Sequence, residues 1–196
     1  MGVKSRREEY AAATRAAIVE AAIERFAAEG FAATSMDAIA GAARVTKGAV
    51  YHHFRDKAEL FEAAFVVMEE RLLAKVTGGV EGTGDPWEVM ATGVAIYLEE
   101  CSEPQFRRIA LEEAPAALGF GRWKEIEERY FLGLVNGALG AMAEGGAIDI
   151  GAGDLVARML LAAMTEAGRA VAGAARPVEE RRRVGALVMR LLDGLR

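Results

Sequence analysis

Apolar residues recur every three or four positions along most of the chain, which is the spacing of an α-helix that buries one face. In the first long stretch, Ile18, Ala22 and Phe26 fall four residues apart and predict a helix over residues 9–30. Gly30 suits the left-handed residue that follows many helix ends. The alternation of apolar and polar residues that is typical of strands is nearly absent. We therefore expect an all-α protein.

Residues 35–54 form the pattern on which the rest of the interpretation depends. They predict two short helices, over residues 36–43 and 47–54, joined by a tight turn. The positions that must pack are apolar, and they are Ile39, Ala40, Val45, Val50 and Phe54. The other positions are polar, basic or aromatic. This is the layout of a helix-turn-helix, whose second helix enters the major groove of DNA.

Hydroxyl residues stand where these two helices begin. Thr34 or Ser35 can cap the first helix and Thr46 the second, because a hydroxyl there accepts a hydrogen bond from an otherwise unpaired backbone N–H. Asp37 lies in the first turn, where the helix dipole favours a negative charge, and we assign it no other role. Gly48 lies in the first turn of the second helix, where the missing side chain would let DNA approach closely.

The chain after the helix-turn-helix continues with another helical pattern, over residues 57–76. The sequence TGGVEGTGDP at 77–86 then interrupts it with four glycines and a proline. Such a composition favours a domain boundary. We therefore divide the chain into an N-terminal arm with the helix-turn-helix domain (1–56), a connecting helix (57–76) and a C-terminal domain (77–196).

The C-terminal domain contains five further helical patterns, which bring the expected total to about nine helices. Pro115 is expected to stop the second of them, and Asp154 to cap the fourth. The five patterns cover residues 86–101, 104–113, 122–144, 154–173 and 178–195.

The last two of these helices carry leucines and small residues that permit close packing. Such a pair from each of two copies can form a four-helix bundle. We therefore expect a homodimer through residues 154–173 and 178–195. The alternative is that both helices belong to the core of a monomer.

Charge is unevenly distributed along the 196 residues. The formal net charge is −5, which by itself disfavours binding to nucleic acid. Residues 1–57 nevertheless hold nine Lys/Arg and seven Asp/Glu, a balance of +2, whereas the remainder carries −7. The N-terminal quarter is thus the part suited to DNA phosphates.

Sixteen residues between positions 26 and 60 stand at the spacing of a known family. They are Phe26, Gly30, Phe31, Thr34, Ile39, Ala40, Ala43, Val45, Thr46, Lys47, Gly48, Tyr51, His53, Phe54, Lys57 and Leu60. This part of the chain resembles the TetR family of bacterial transcriptional regulators. The rest matches the family only in length and helical character. The resemblance implies a homodimer that binds a palindromic operator, and a C-terminal domain whose inducer releases the DNA.

The same resemblance implies which residues contact DNA. Lys47 and Gly48 lie nearest the base edges, and Ala49 can touch a thymine methyl group. The residues implied near the DNA backbone are Thr34, Ser35, Thr46, Tyr51, His52 and Lys57. Tyr51 alternatively packs against the first helix, and His53 has either a structural role or a position beside a phosphate. A metal site at the two histidines is disfavoured, because adjacent helical residues point about 100° apart.

Arg44 is a departure from the family pattern, which usually has glycine in this turn. If the backbone there is left-handed, a residue other than glycine costs about 1 kcal/mol. The arginine also adds a cation beside the recognition helix. We therefore expect Arg44 to contact a DNA phosphate.

The C-terminal domain offers aromatic, sulfur-containing and acidic residues as candidates for contact with a small molecule. They are Met90, Tyr97, Cys101, Phe106, Trp123, Tyr130, Met164 and Glu166. Each of them alternatively belongs to the core. As a group they suggest an apolar cavity for a small hydrophobic or aromatic effector.

Other classes of protein fit the sequence less well. It holds no Ser-His-Asp set, no metal-ligand cluster and no glycine-rich phosphate loop, so we expect neither an enzyme nor a bound cofactor or metal. No apolar run reaches the roughly 18 residues of a membrane span, and the single cysteine fits a reducing cytoplasm. The alternatives to a ligand-released repressor are an α-helical small-molecule carrier or enzyme, or a transcriptional activator.

Overall fold

The computed structural model describes residues 6–149, 151 and 153–196. The first five residues of the predicted N-terminal arm, and two positions of the linker before residue 153, lie outside this range. The helices are α1 (Arg6–Ala33), α2 (Met36–Ala42), α3 (Lys47–His53), α4 (Lys57–Val80), α5 (Pro86–Glu100), α6 (Pro104–Phe106), a π-helical segment (Arg107–Glu113), α7 (Ala114–Ala117), α8 (Phe120–Glu144), α9 (Gly153–Ala172) and α10 (Pro177–Asp193).

The prediction of an all-α fold is confirmed. The described residues contain no strand, and they form nine helices when α6, the π-helical segment and α7 are counted as one continuous stretch. No helix in the described ranges is long and apolar enough to cross a membrane.

Gly30 kinks the first helix instead of ending it. Its φ of 82° and ψ of 165° fall in a region that is essentially restricted to glycine, and one more helical turn follows. A side chain would also collide with the π-helical segment, since a Cβ at Gly30 would lie 2.5 Å from Nη2 of Arg108 and 2.7 Å from Oε1 of Glu113. The kink therefore brings the N-terminal domain against the C-terminal one.

Helix α4 is longer than predicted and passes through the start of the glycine-rich stretch. It ends at Val80, not at residue 76. Gly79 permits close packing of α4 on α5, because a Cβ there would collide with the Cδ1 methyl group of Ile96, whereas a Cβ at Gly78 would meet nothing within 4 Å. The interruption begins only after these two glycines.

Two further predicted boundaries are wrong. Pro115 does not stop its helix, since it lies in the first turn of α7, where a missing N–H is tolerated. Asp154 does not cap α9, which begins at Gly153. The Asp154 carboxylate instead accepts a hydrogen bond from Nε of Arg158 at 2.9 Å.

A single hydrophobic core runs through both halves of the molecule. In the N-terminal half, the rings of Phe26, Phe31 and Phe61 meet with centroids 5.0–6.0 Å apart, which packs α1 against α4. Helices α2 and α3, which together with their turn we call the reading head, are held on this base by buried Ile39 and Val50. The reading head is thereby fixed to the first turns of α4.

Candidate DNA-reading surface and effector cavity

Both short helices begin with the predicted hydroxyl caps. The Oγ of Ser35 accepts a hydrogen bond from the N–H of Ala38 at 3.1 Å, and Oγ1 of Thr46 accepts one from the N–H of Ala49 at 3.2 Å. Each bond satisfies one of the backbone donors that a helix start leaves unpaired. The caps fix where α3 begins and so which residues its exposed face presents.

The turn between α2 and α3 has the left-handed backbone that the family's usual glycine suggests. Arg44 has a φ of 57°, the one positive φ at a residue other than glycine among those described. Its N–H donates to the carbonyl of Gly41 at 3.2 Å. The exposed guanidinium makes no hydrogen bond or ion pair with any described residue, so it is available to an external anion.

Lys47, at the start of α3, is paired with Asp37 at the start of α2. Its Nζ lies 2.8 Å from Oδ1 of Asp37, and about 60% of each side chain is exposed (60% and 62%). The hydrogen bond and charge of Asp37 raise the pKa of Lys47. The same Nζ lies 5.9 Å from the centre of the Tyr51 ring. Sequence reasoning missed this partner, because nothing in the local pattern brings residues ten apart together across the turn.

The rest of the α3 face is open to solvent. Tyr51 is 46% exposed, His52 is exposed, and Ala49 and His53 are partly buried. Burial, followed by the charges of His52 and Arg15, lowers the pKa of His53. A Cβ at Gly48 would meet only Oγ1 of Thr46, at 3.9 Å, so no packing inside the protein requires glycine there.

Two predicted DNA contacts are corrected by the structure. Thr34 is 1% exposed, and its hydroxyl donates inward to the carbonyl of Gly30 at 2.8 Å. The Lys57 ammonium donates to three carbonyls, those of Phe31 at 2.7 Å, Ala32 at 3.1 Å and Thr34 at 2.9 Å. An ammonium has three donors, so these bonds leave none for a phosphate. Both residues hold the corner between α1 and α2.

A cavity lies among α4, α5, the π-helical segment, α8 and α9. The centre of a water molecule can reach about 100 Å³ of it. Four of the eight candidate ligand residues line it, and they are Met90, Tyr97, Phe106 and Met164. Leucine, valine and alanine side chains make up most of the remaining wall, so the cavity is largely apolar, as expected for a small-molecule site.

The other four candidates do not line this cavity. Cys101 is buried where α5 crosses α9, and a Cβ at Gly168 would lie 2.7 Å from its Sγ. Burial raises the pKa of this thiol to about 12.

Trp123 packs under Phe120, with ring centroids 5.4 Å apart. The Tyr130 hydroxyl donates to Oε1 of Glu70 at 3.0 Å. Glu166 is exposed on α9, three turns along the same face as Leu155. Apolar residues lie on several faces of these alanine-rich helices. The sequence pattern therefore could not show which candidate residues face the cavity.

Three polar residues in the cavity wall were missed by the sequence analysis. They are Glu69 on α4, Glu127 on α8 and Thr165 on α9. The hydroxyl of Thr165 lies 3.4 Å from Oε1 of Glu127. Desolvation raises the pKa of Glu69 well above its usual value, with a further contribution from the Glu127 charge, and it raises the pKa of Glu127 to about 7.

The cavity and the reading head share structural elements. Helix α4 contributes Leu72 and Val76 to the cavity, and at its other end Lys57 holds the α1–α2 corner. Arg122 of α8 binds Glu62 of α4, with Nε 3.1 Å from Oε2. The π-helical segment turns Leu111 to the cavity and packs its far side on the kink of α1. Helix α4 and the π-helical segment thus each touch both the cavity and the N-terminal domain.

Comparison with known proteins agrees with this arrangement. The family model of bacterial regulatory proteins of the tetR family matches residues 18–64, and that of the tetracyclin repressor-like C-terminal domain matches residues 87–195. The chain therefore belongs to the TetR family, and it is a DNA-binding transcriptional regulator.

Individual relatives match over different shares of their length. The chain is 27% identical to the TetC protein of transposon Tn10 from Escherichia coli over 133 residues, 68% of this chain and 67% of TetC. It is 33% identical to the regulator AcrR of Shigella flexneri over 113 residues, 57% of this chain but only about half (52%) of AcrR. A TetR-family regulator from Pectobacterium atrosepticum has the same fold, with a TM-score of 0.83, 26% identity and coverage of 98% and 97% of the two chains.

Proposed function

We propose that this protein is a homodimeric repressor that binds a palindromic operator and leaves it when a small hydrophobic molecule occupies the cavity. The first 56 residues would bind DNA, α4 would connect, and the remainder would hold the effector and the dimer interface. This division follows the sequence-based one, with the connecting helix extended to Val80. Its site of action would be the cytoplasm.

The DNA-binding part of the proposal rests on the solvent-exposed face of α3. Lys47, Gly48 and Ala49 are the proposed base-edge contacts. The proposed backbone contacts are Ser35, Arg44, Thr46, Tyr51, His52 and His53. The support is that Gly48 is unexplained by packing, and that the Arg44 guanidinium and the His52 ring are exposed without an ion pair in the described protein.

Two apolar stripes support the proposed dimer. Leu155 and Met159 on α9, and Leu187 and Leu191 on α10, are about half exposed or more, and each pair falls one helical turn apart. Val184, Val188 and Leu192 occupy the neighbouring face of α10, about 80° around the helix, and are buried. An exposed leucine stripe beside a buried one suits a four-helix contact with a second copy.

A gel-shift with DNA flanking the protein's own gene tests the repressor function. We expect a sequence-specific shift by the dimer at moderate salt without ligand, and loss of that shift in Lys47→Ala. Arg129→Ala, which removes an exposed cation on α8, is the matched control and should bind normally. Absence of a specific shift by the dimeric wild type would contradict the proposal. A shift together with increased transcription in vitro would favour the activator instead.

A further inference from the structure

Glu69 is the feature of the cavity that its apolar walls do not explain. It is 3% exposed and lines the cavity, yet its carboxyl group makes no hydrogen bond or ion pair with any described residue. Burying an unpartnered acid costs several kcal/mol on the usual scale. Such a group in a cavity wall is a candidate for contact with a bound ligand.

A second acid faces the same space. Among the residues that the structure describes, Glu127 of α8 has the Thr165 hydroxyl as its hydrogen-bond partner, and no Lys or Arg lies within ion-pair distance of it. Lys124, which pairs with Glu128 at 3.7 Å, and Arg169, which lies 5.9 Å from the Trp123 ring, act on Glu127 only at longer range. The cavity thus brings together two carboxyl groups that have no ion-pair partner among the described residues.

We propose that the effector is a hydrophobic organic cation, whose apolar body fills the cavity and whose positive charge lies between Glu69 and Glu127. Tyr97, whose aromatic ring also lines the cavity, would add a cation–π contact. This assignment rests on the proposed effector-released function and names the chemistry of the molecule that the same cavity would bind.

The charged and titratable groups around Glu69 and Glu127 do not offset the desolvation of the two acids. A bound cation would supply the missing positive charge. Besides one another, the acids interact with Tyr97 on α5, Cys101 directly after it, Lys124, Glu128 and Tyr130 on α8, and Arg169 on α9, while the π-helical segment presents uncharged Ala110 and Leu111. Lys124 and Arg169 lower the pKa of Glu127, but desolvation outweighs them. Burial thus favours the uncharged form of Glu69, and with a pKa of about 7 Glu127 is partly protonated near neutral pH.

Binding of a permanent cation would ionise these groups. Each carboxyl O–H bond that breaks gives its proton to the buffer, and the carboxylate that remains pairs with the ligand. A quaternary ammonium carries no exchangeable proton, so every proton released comes from the protein. Affinity should therefore increase as the pH rises from about 5 to 8.

The test compares phenylalkyl trimethylammonium ions, with two, four and six methylenes, with their neutral analogues in which carbon replaces the nitrogen. Calorimetry on the full-length dimer without DNA should give at least one cation about tenfold or more tighter than its neutral analogue. Measurements in two buffers of different ionisation enthalpy should show release of about one proton.

Variants assign the effect to the two acids. Glu69→Gln should remove the preference for the cation and most of the proton release, and Glu127→Gln should reduce both. Glu70→Gln is the matched control, since Glu70 is the next residue on α4 but is exposed and bonded to Tyr130. It should bind as the wild type does. Glutamine has nearly the same shape as the uncharged glutamic acid that burial favours at both positions. Both variants should therefore fold.

The proposal is overturned if no cation binds more tightly than its neutral analogue, including the case in which neither binds, or if Glu69→Gln keeps the full preference. These results would leave the repressor proposal intact, because they concern the free protein. Conversely, a failed gel-shift with normal cation binding would overturn the repressor and leave the cation site standing.

Discussion

Arg44 combines a strained backbone with a free charge. Its φ of 57° costs an L-residue about 1 kcal/mol or more, and nothing inside the described protein uses its guanidinium. If it contacts a phosphate, Arg44→Ala should reduce the slope of log K against log salt by about 1. A salt titration of operator binding measures this slope. Arg44→Lys should keep the wild-type value, and an unchanged slope in Arg44→Ala would reject the contact.

Gly48 permits a test that separates DNA contact from folding. A Cβ at this position would make only an ordinary contact with Oγ1 of Thr46, at 3.9 Å, so Gly48→Ala should leave the thermal midpoint unchanged or raise it slightly. If DNA approaches this backbone closely, operator affinity should nevertheless fall about tenfold or more. Gly41→Ala on α2, where a Cβ would meet nothing within 4 Å, is the control and should bind normally. Equal binding by both variants would show that DNA does not need glycine at 48.

Glu127 makes stability depend on pH. Its pKa of about 7 in the folded protein exceeds the usual 4.5, so between these values the folded state holds a proton that the unfolded state has lost. Stability from this group is therefore fully present below pH 4.5 and is lost as the pH rises to about 7.

The variant Glu127→Gln should lose less stability than the wild type between pH 5 and pH 8, by about 1 kcal/mol or more. Removing the Glu127 charge also removes its contribution to the raised pKa of Glu69. This further reduces the loss of stability as the pH rises. Urea denaturation at both pH values measures the difference. Glu88→Gln, on the exposed side of α5, controls for the loss of a surface carboxylate, and parallel pH curves for wild type and Glu127→Gln would contradict the expectation.

Local chemistry accounts for what the sequence could predict. The caps at Ser35 and Thr46 and the glycine-like turn at Arg44 depend on neighbours a few residues away, and these features of the reading head agree with the structure. Glu69 and Glu127 could not be recognised in the same way. Carboxylates on helices usually face water, and only the packing of α4 against α8 shows that these two line a cavity.

At the scale of elements, Lys57 attaches the start of α4 to the corner between α1 and α2. The three carbonyls that bind its ammonium come from residues 23–26 positions earlier, so local pattern could not predict this role. If Lys57 is structural, Lys57→Met should lower stability by about 2 kcal/mol, since bonds to charged groups are worth roughly 1.5–3 kcal/mol. The salt slope of operator binding should stay unchanged.

Both quantities are needed to interpret Lys57→Met. Chemical denaturation gives the stability, and a salt titration of operator binding gives the slope. Lys124→Met, which removes a partly exposed lysine of α8 that pairs with Glu128 at 3.7 Å, serves as a control for loss of a positive charge. A slope reduced by about 1 with unchanged stability would restore Lys57 as a phosphate contact.

At the scale of the whole molecule, repression by a two-fold operator requires the dimer. Leu187 and Leu191 are 47% and 56% exposed, so replacing them removes little from the protomer's own core. The double variant Leu187→Glu/Leu191→Glu should place two charges in each half of the proposed interface. We therefore expect it to sediment as a monomer at micromolar concentration, to keep its helical circular dichroism spectrum, and to lose specific operator binding. Phe120→Glu, at an apolar side chain 66% exposed at the start of α8, should remain dimeric, and a double variant that also stays dimeric would show that α10 does not form the interface.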